Sequence, residues 1–185
     1  MRATITGVLL FALLLLFVVP AQADTLSVSV DVPVTYSFTE TTLKDPSSSG
    51  ALVAVTLPFL VGLGYENYKV TGKLTDPTLA NPDQDFEYKV AMYDIYVDIP
   101  FPYLNLRVGG GAGKGEFDLT PVTGDTYDSA SLTQLFFNVG VPFWEVFDAH
   151  VGYHKISGDA DNQTNPGKNL TLDAGMATVG LKVGF

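Results

Sequence analysis

The tetrapeptides TLPF, DIPF, GVPF and KVGF end at residues 59, 101, 143 and 185, a constant step of 42 residues. A repeat of this length sets an architecture before any local preference does. Each copy closes a stretch in which apolar and polar residues alternate, the period of a strand with two different faces. Between the marks, each unit reads as a tight turn, a rising strand, a polar loop and a falling strand. Four such units predict eight strands.

The two faces of those strands differ in kind. On the falling strands Val53, Val55, Leu57 and Phe59 share a side, as do Ile95, Val97, Ile99 and Phe101. Leu135, Phe137, Val139, Val141 and Phe143 repeat the pattern, and Val179, Leu181, Val183 and Phe185 repeat it again. The rising strands split likewise: Val28 to Phe38 at every second residue against Ser27, Ser29, Asp31 and Thr35, and Phe147, Ala149, Val151 and Tyr153 against Asp148, His150 and His154. The polar face collects Asp31, Glu66, Asp94, Asp98, Arg107, Asp148 and Lys182. Those charges make a poor core for a water-soluble sheet but suit a hydrated lumen. Apolar-out and polar-in over segments of about ten residues is the pattern of a transmembrane barrel. Closing eight strands leaves no unpaired edge in lipid. The predicted fold is all-β, an eight-stranded antiparallel up-and-down transmembrane barrel.

Composition agrees. The chain is 46% hydrophobic, yet no apolar run beyond its start approaches the roughly 20 residues of a spanning helix. Residues 1–23, with Arg2, an apolar run from Val8 to Val19 and the cleavage site Ala21-Gln22-Ala23, read as a secretory signal peptide. Its removal leaves a single domain, residues 24–185, with 9 basic against 20 acidic side chains. That balance argues against nucleic-acid binding. With no cysteine, no disulfide stabilises the exported domain.

The last strand carries a further signal. In TVGLKVGF, Thr178, Gly180, Val183 and Phe185 resemble the carboxyl-terminal β-signal of bacterial outer-membrane barrels, with Val183 where an aromatic is commoner. The resemblance implies recognition by the barrel-assembly machinery and pairing of the last strand with the first. The whole chain resembles the small barrels of the OmpA-transmembrane, OmpX and OmpW kind, without the periplasmic domain of the first and with shorter outer loops than the others. Location in the bacterial outer membrane, contact with its lipids and lipopolysaccharide, and a monomeric state are what this resemblance implies.

Loop lengths orient the barrel. The connections at 60–61, 102–103 and 144–146 are short and apolar, as periplasmic turns should be. Those at 39–50, 75–85, 120–129 and 158–169 are longer and rich in turn formers and acids, as outer loops should be. Interface aromatics are expected in two belts: Phe59, Phe101, Tyr103, Phe143, Trp144, Phe147 and Phe185 below, and Tyr36, Phe38, Tyr65, Tyr88 and Tyr153 above. Toward the outer ends the apolar parity changes on three strands, at Phe86 to Met92, at Tyr68 and Val70, and at Phe117. A β-bulge on each strand would absorb the change.

Candidate chemistry is sparse. GGGAGKG at 109–115 lacks the spacing and the following helix of a phosphate loop. Inward Gly109, Gly111 and Gly113 are expected instead to make room for bulky neighbours such as Phe136. His150, His154 and Asp148 share one face, but their spacing spreads the two imidazoles by roughly 13 Å, too far for one metal. His154 with Ser157 or Asp159 would suit a lipid A-modifying enzyme, although no motif of such enzymes aligns. No cofactor is called for. Two ion pairs are expected in the lumen: Asp98 with Arg107 across one tight turn, and Lys182 with Asp148 or Asp31. The functional expectation is an envelope-structural or surface-interaction protein without enzymatic activity, its lumen filled by a polar network. A narrow conduit for small hydrophobic or ionic solutes and a lipid A-modifying enzyme are the alternatives.

Overall fold

A computed structural model describes residues 26–75, 83–101, 103–120, 126–144, 146–164 and 169–185. The leader segment lies outside these residues, as do 102 and 145 in two of the expected turns and parts of three outer connections. The strands are β1 (Ser27–Phe38), β2 (Leu43–Thr56), β3 (Val61–Thr75), β4 (Asp83–Pro100) and β5 (Asn105–Thr120), followed by β6 (Ala130–Trp144), β7 (Phe147–Ala160), β8 (Leu170–Thr171) and β9 (Ala174–Gly184). All pair antiparallel with their neighbours. β8 and β9 are one barrel strand, interrupted at Leu172 and Asp173.

Closure comes from β9, which pairs with β7 on one side and β1 on the other. Its end is tied down: the Phe185 N–H donates to the Leu26 carbonyl at 2.8 Å and the Gly184 N–H to that of Val146 at 2.8 Å. The result is a closed eight-strand barrel with a filled interior, the usual condition at this strand number.

The lower half follows the alternation read from the sequence. Leu135, Phe137, Val139, Val141 and Phe143 all face outward, with Leu135 at 71% exposure, while Gln134, Phe136 and Asn138 between them are buried. Nine residues of tilted strand give an apolar band about 20 Å high, close to the band of an outer-membrane barrel. Below it Phe59, Tyr103, Trp144 and Phe185 are exposed, and Phe143, Trp144 and Phe147 pack as a ring cluster with centroids 5.9 to 6.1 Å apart.

The upper half departs from expectation. No bulge occurs in the β3–β4 or β4–β5 ladders, whose registers run without a shift. Phe86, Tyr88, Val90 and Met92 therefore lie on the same inward face as Asp94 and Asp98, and each is at most 2% exposed. Tyr68, Val70 and Phe117 also point inward. The outward positions on these strands carry Lys69, Lys73, Glu87, Lys89, Lys114 and Asp118. What reads as a slip of parity is a change of surroundings: apolar-out below, apolar-in above. On β1 there is a true register shift, between Pro33 and Thr35, which turns Tyr36 and Phe38 inward. Tyr36, Phe38 and Tyr88 therefore leave the expected upper belt for the core, and Tyr65 and Tyr153 remain outside it.

One expected loop shrinks. Most of the segment 39–50 is strand, because β2 begins at Leu43 and pairs with β3 through a register shift between Lys44 and Ser47. The turn at the other end of β2 is tight: Leu57 donates to the Val61 carbonyl at 2.8 Å, with Phe59 at φ 82° and Leu60 at φ 66°. Two consecutive non-glycine residues in the left-handed region store strain.

Candidate functional site

Period two delivers every lumen candidate to the inside. Asp31, Glu66, Asp94, Asp98, Arg107, Asp148, His150 and His154 are buried, and Lys182 is nearly so. Buried charges require partners, and the lumen supplies them in two tiers.

The lower tier centres on Arg107. Its Nε donates to Asp98 Oδ1 at 2.8 Å and its Nη2 to Asp98 Oδ2 at 3.3 Å, while Nη1 donates to Ser29 Oγ at 2.9 Å. The guanidinium lies 4.1 Å over the Tyr96 ring. Asp98 ↔ Arg107 is a register pair across the turn between β4 and β5, as the sequence predicts. Thr56 Oγ1 donates to Asp98 Oδ2 at 2.8 Å. Lys182 departs from expectation. It stands opposite Asp148 in the ladder, but its Nζ reaches across the lumen to Asp98 Oδ2 at 3.7 Å. Asp31 instead meets His150 Nε2 at 2.6 Å, and Asp148 accepts a hydrogen bond from Asn105. The long lysine stem explains this, since backbone pairing does not fix where four methylenes deliver the charge.

The upper tier joins Glu66, Asp94, Gln134 and His154. The Gln134 amide donates to Glu66 Oε1 at 2.9 Å and to Asp94 Oδ1 at 2.6 Å, and its Oε1 lies 3.2 Å from His154 Nδ1. His154 stacks on Phe136 at 5.0 Å. Gly109 leaves the space for that ring: a Cβ there would stand 2.5 Å from Phe136 Cζ. A Cβ at Gly111 would collide with the Asp94 carboxylate, and one at Gly113 with the backbone around Met92.

Gln134, Ser29, Thr56, Tyr96 and Asn105 complete the network, with Asn138 buried beside it, although the sequence analysis singles out only charges and histidines. Their shared parity with those residues, or their place beside a tight turn, was the signal available. The enzymatic constellation is not assembled. His154 points inward, whereas Ser157 and Asp159 lie on the other face, where Asp159 is exposed. Among the described residues no group of three or more His, Cys, Asp or Glu is placed to hold a metal.

Two small voids interrupt the polar tiers. One, of about 10 Å³, is lined by Asp98, Arg107, Asp148, His150 and Lys182. The other, of about 20 Å³, is lined by Asp31, Leu52, Glu66, Asp94, Arg107 and His154 among others. Each is about the size of one water. Above them, the apolar core from Tyr68 and Met92 to Leu74 and Leu172 fills the barrel.

Neisserial surface protein A is superposable on this architecture, with a TM-score of 0.51 over 89% of this chain and 100% of that one at 13% identity. This is the fold of a small bacterial outer-membrane β-barrel. A second similar outer-membrane barrel is Ail, the attachment invasion locus protein of Yersinia pestis, at 14% identity and a TM-score of 0.49 over 88% of this chain and 100% of Ail. No family model and no curated protein sequence matches the chain.

Within the outer-membrane barrel frame, the expected assembly-signal residues fall on both walls of β9. Thr178 is buried toward the lumen, and Gly180 lies against Asp31 and His150, where a Cβ would come 2.5 Å from either side chain. Val183 is half-buried, and Phe185 is exposed at the lower rim beside the level of Phe59, Phe101 and Trp144.

Proposed function

We propose that this chain is an integral protein of the bacterial outer membrane with an envelope-structural or surface-interaction role. The observation that carries the reading is the inversion of polarity along the strands. The lower half presents an apolar wall to lipid. The upper half, with its polar exterior and aromatic core, is a barrel suited to water and extends about 20 Å beyond the membrane. A solid extension of this kind offers a rigid outward surface and blocks the axis. Solute passage along that axis is therefore disfavoured. The name of its structural neighbour, a surface protein, is in keeping with this reading.

The partners follow from the levels. The apolar band contacts lipid chains. Lys69, Lys89, Lys114 and Lys155 stand just above it, at the height of lipopolysaccharide phosphates. Thr178, Gly180, Val183 and Phe185 would present the last strand to the barrel-assembly machinery. The domain acts as a monomer without a cofactor. The test is membrane fractionation with heat-modifiable gel migration, combined with planar-bilayer recording. Outer-membrane recovery, a heat shift and the absence of conductance steps support the proposal. Recovery as a soluble periplasmic protein overturns it, and regular conductance steps replace it with the conduit.

A further inference from the structure

Among the described residues, one ladder of the barrel wall stops short of its strands' ends. The β1–β2 ladder runs from Ser27 ↔ Thr56 to Asp31 ↔ Leu52 and stops, although β1 continues to Phe38 and β2 begins at Leu43. Over the same height β1 remains paired with β9 and β2 with β3. The two rims are joined above by the four residues 39–42, so the break is a slit closed at both ends. The sequence accounts for it. Pro33 on one strand and Pro46 on the other each lack the N–H a ladder needs. A register shift accompanies each proline.

The slit is exposed on its outer side. Strict alternation of burial is lost on both rims, where Val34 with Thr35 and Ser49 with Gly50 are exposed as neighbours. Unpaired backbone is not tolerated against hydrocarbon, so its position at the upper margin of the apolar band is physically consistent. Immediately inside its lower end lies the 20 Å³ void, lined by Asp31 and Leu52, the last ladder pair, and by Glu66 and Asp94. Glu66 Oε2 and Asn138 Oδ1 belong to that lining and are buried without a hydrogen-bond partner. The axial path to the same void is closed by the aromatic core.

We propose that the β1–β2 slit is a lateral portal through which water and small cations exchange between the outer membrane surface and the void at Asp31 and Glu66. Three carboxyl groups, Asp31, Glu66 and Asp94, against the guanidinium of Arg107 and the imidazole of His154 give the void its preference for cations. The proposal rests on the outer-membrane reading and adds to it a side entrance to a lumen shut along its axis.

The chain has no cysteine, so single reporters are clean. Leu52→Cys sits at the inner end of the slit, and Met92→Cys sits in the sealed core at equal or deeper burial. In lipid nanodiscs, a cationic methanethiosulfonate is expected to modify Leu52→Cys about tenfold faster than Met92→Cys, and faster than its anionic analogue does. Adding Pro33→Val and Pro46→Val, which restores two donors, should slow Leu52→Cys and leave Met92→Cys unchanged. Hydrogen exchange of the unmodified protein gives a measurement free of folding defects. Amides of Val32, Val34 and Ser47 to Ala51 that face the slit should exchange far faster than those in the β4–β5 ladder. Equal labelling rates, or slit amides as protected as those of β4–β5, overturn the portal while leaving the membrane reading intact. Loss of heat-modifiable, lipid-inserted barrel in the unmodified protein overturns both.

Discussion

Arg107→Ala is the most direct test of the idea that paired charges hold the lower lumen rigid. The guanidinium is 6% exposed and makes two hydrogen bonds to Asp98 and one to Ser29. Removing it strands a buried carboxylate, which typically costs about 3–5 kcal/mol. Asp98 keeps Thr56 at 2.8 Å and Lys182 at 3.7 Å, so the lower end, about 3 kcal/mol, is expected. With a urea slope of about 2–3 kcal/mol per molar, the midpoint falls by about 1 M. Trp144, the one tryptophan of the chain, reports unfolding by fluorescence in micelles or vesicles. Adding Asp98→Asn removes the stranded charge and should restore at least about 1 kcal/mol of the loss, a coupling visible in a double-mutant cycle. Lys182→Ala, which removes one longer contact and leaves Asp98 its bonds to Arg107, should cost less than Arg107→Ala. An unchanged midpoint for Arg107→Ala, or additive losses in the double variant, would refute the reasoning.

Other consequences can be checked on single variants. Val139→Lys places a charge at the middle of the apolar band and should cost about 2–4 kcal/mol, whereas Thr133→Lys, above the band on the same face, should be near neutral; equal effects would remove the polarity step. Leu60→Gly relieves a left-handed φ of 66° and should raise stability by about 1 kcal/mol in urea unfolding; an unchanged midpoint would show that the turn stores no strain there. Deleting Phe185 should lower outer-membrane yield in cells while refolding into detergent stays near normal. Equal cellular yields would show that the terminal aromatic has no part in assembly.

The lower half was legible because one parity persists through all four falling strands, from Val53 to Phe59 and from Val179 to Phe185. The upper half was misread for a physical reason. A period-two pattern identifies two faces but does not say which solvent each one meets. Reading the move to Phe86, Tyr88 and Val90 as a bulge assumes that lipid surrounds the whole strand. The contrary signal was present: Lys69 and Lys73 continue the outward parity of Leu63 and Tyr65, as Lys89 and Glu87 continue that of Ile95 and Tyr93. In the site, Asp98 with Arg107 followed from a short turn and its register. The reach of Lys182 did not, since it depends on side-chain conformation across the lumen. The β1–β2 break was also partly visible in Pro33 and Pro46, but that both fall on the same strand boundary depends on a pairing that local sequence does not determine.

The polarity step also has a kinetic side. To reach its final position from the periplasm, the upper half must carry Lys69, Lys73, Glu87, Lys89, Lys114 and Asp118 through the hydrocarbon. A lipid-facing lysine costs about 2–4 kcal/mol at the midplane, so several crossing together make an unassisted passage very slow. The same barrier opposes the return. Once the charged exterior has emerged, it acts as a one-way catch that fixes both depth and direction without a covalent anchor. Insertion into preformed vesicles without assistance should consequently run turn-first, leaving the upper half on the side from which the protein was added.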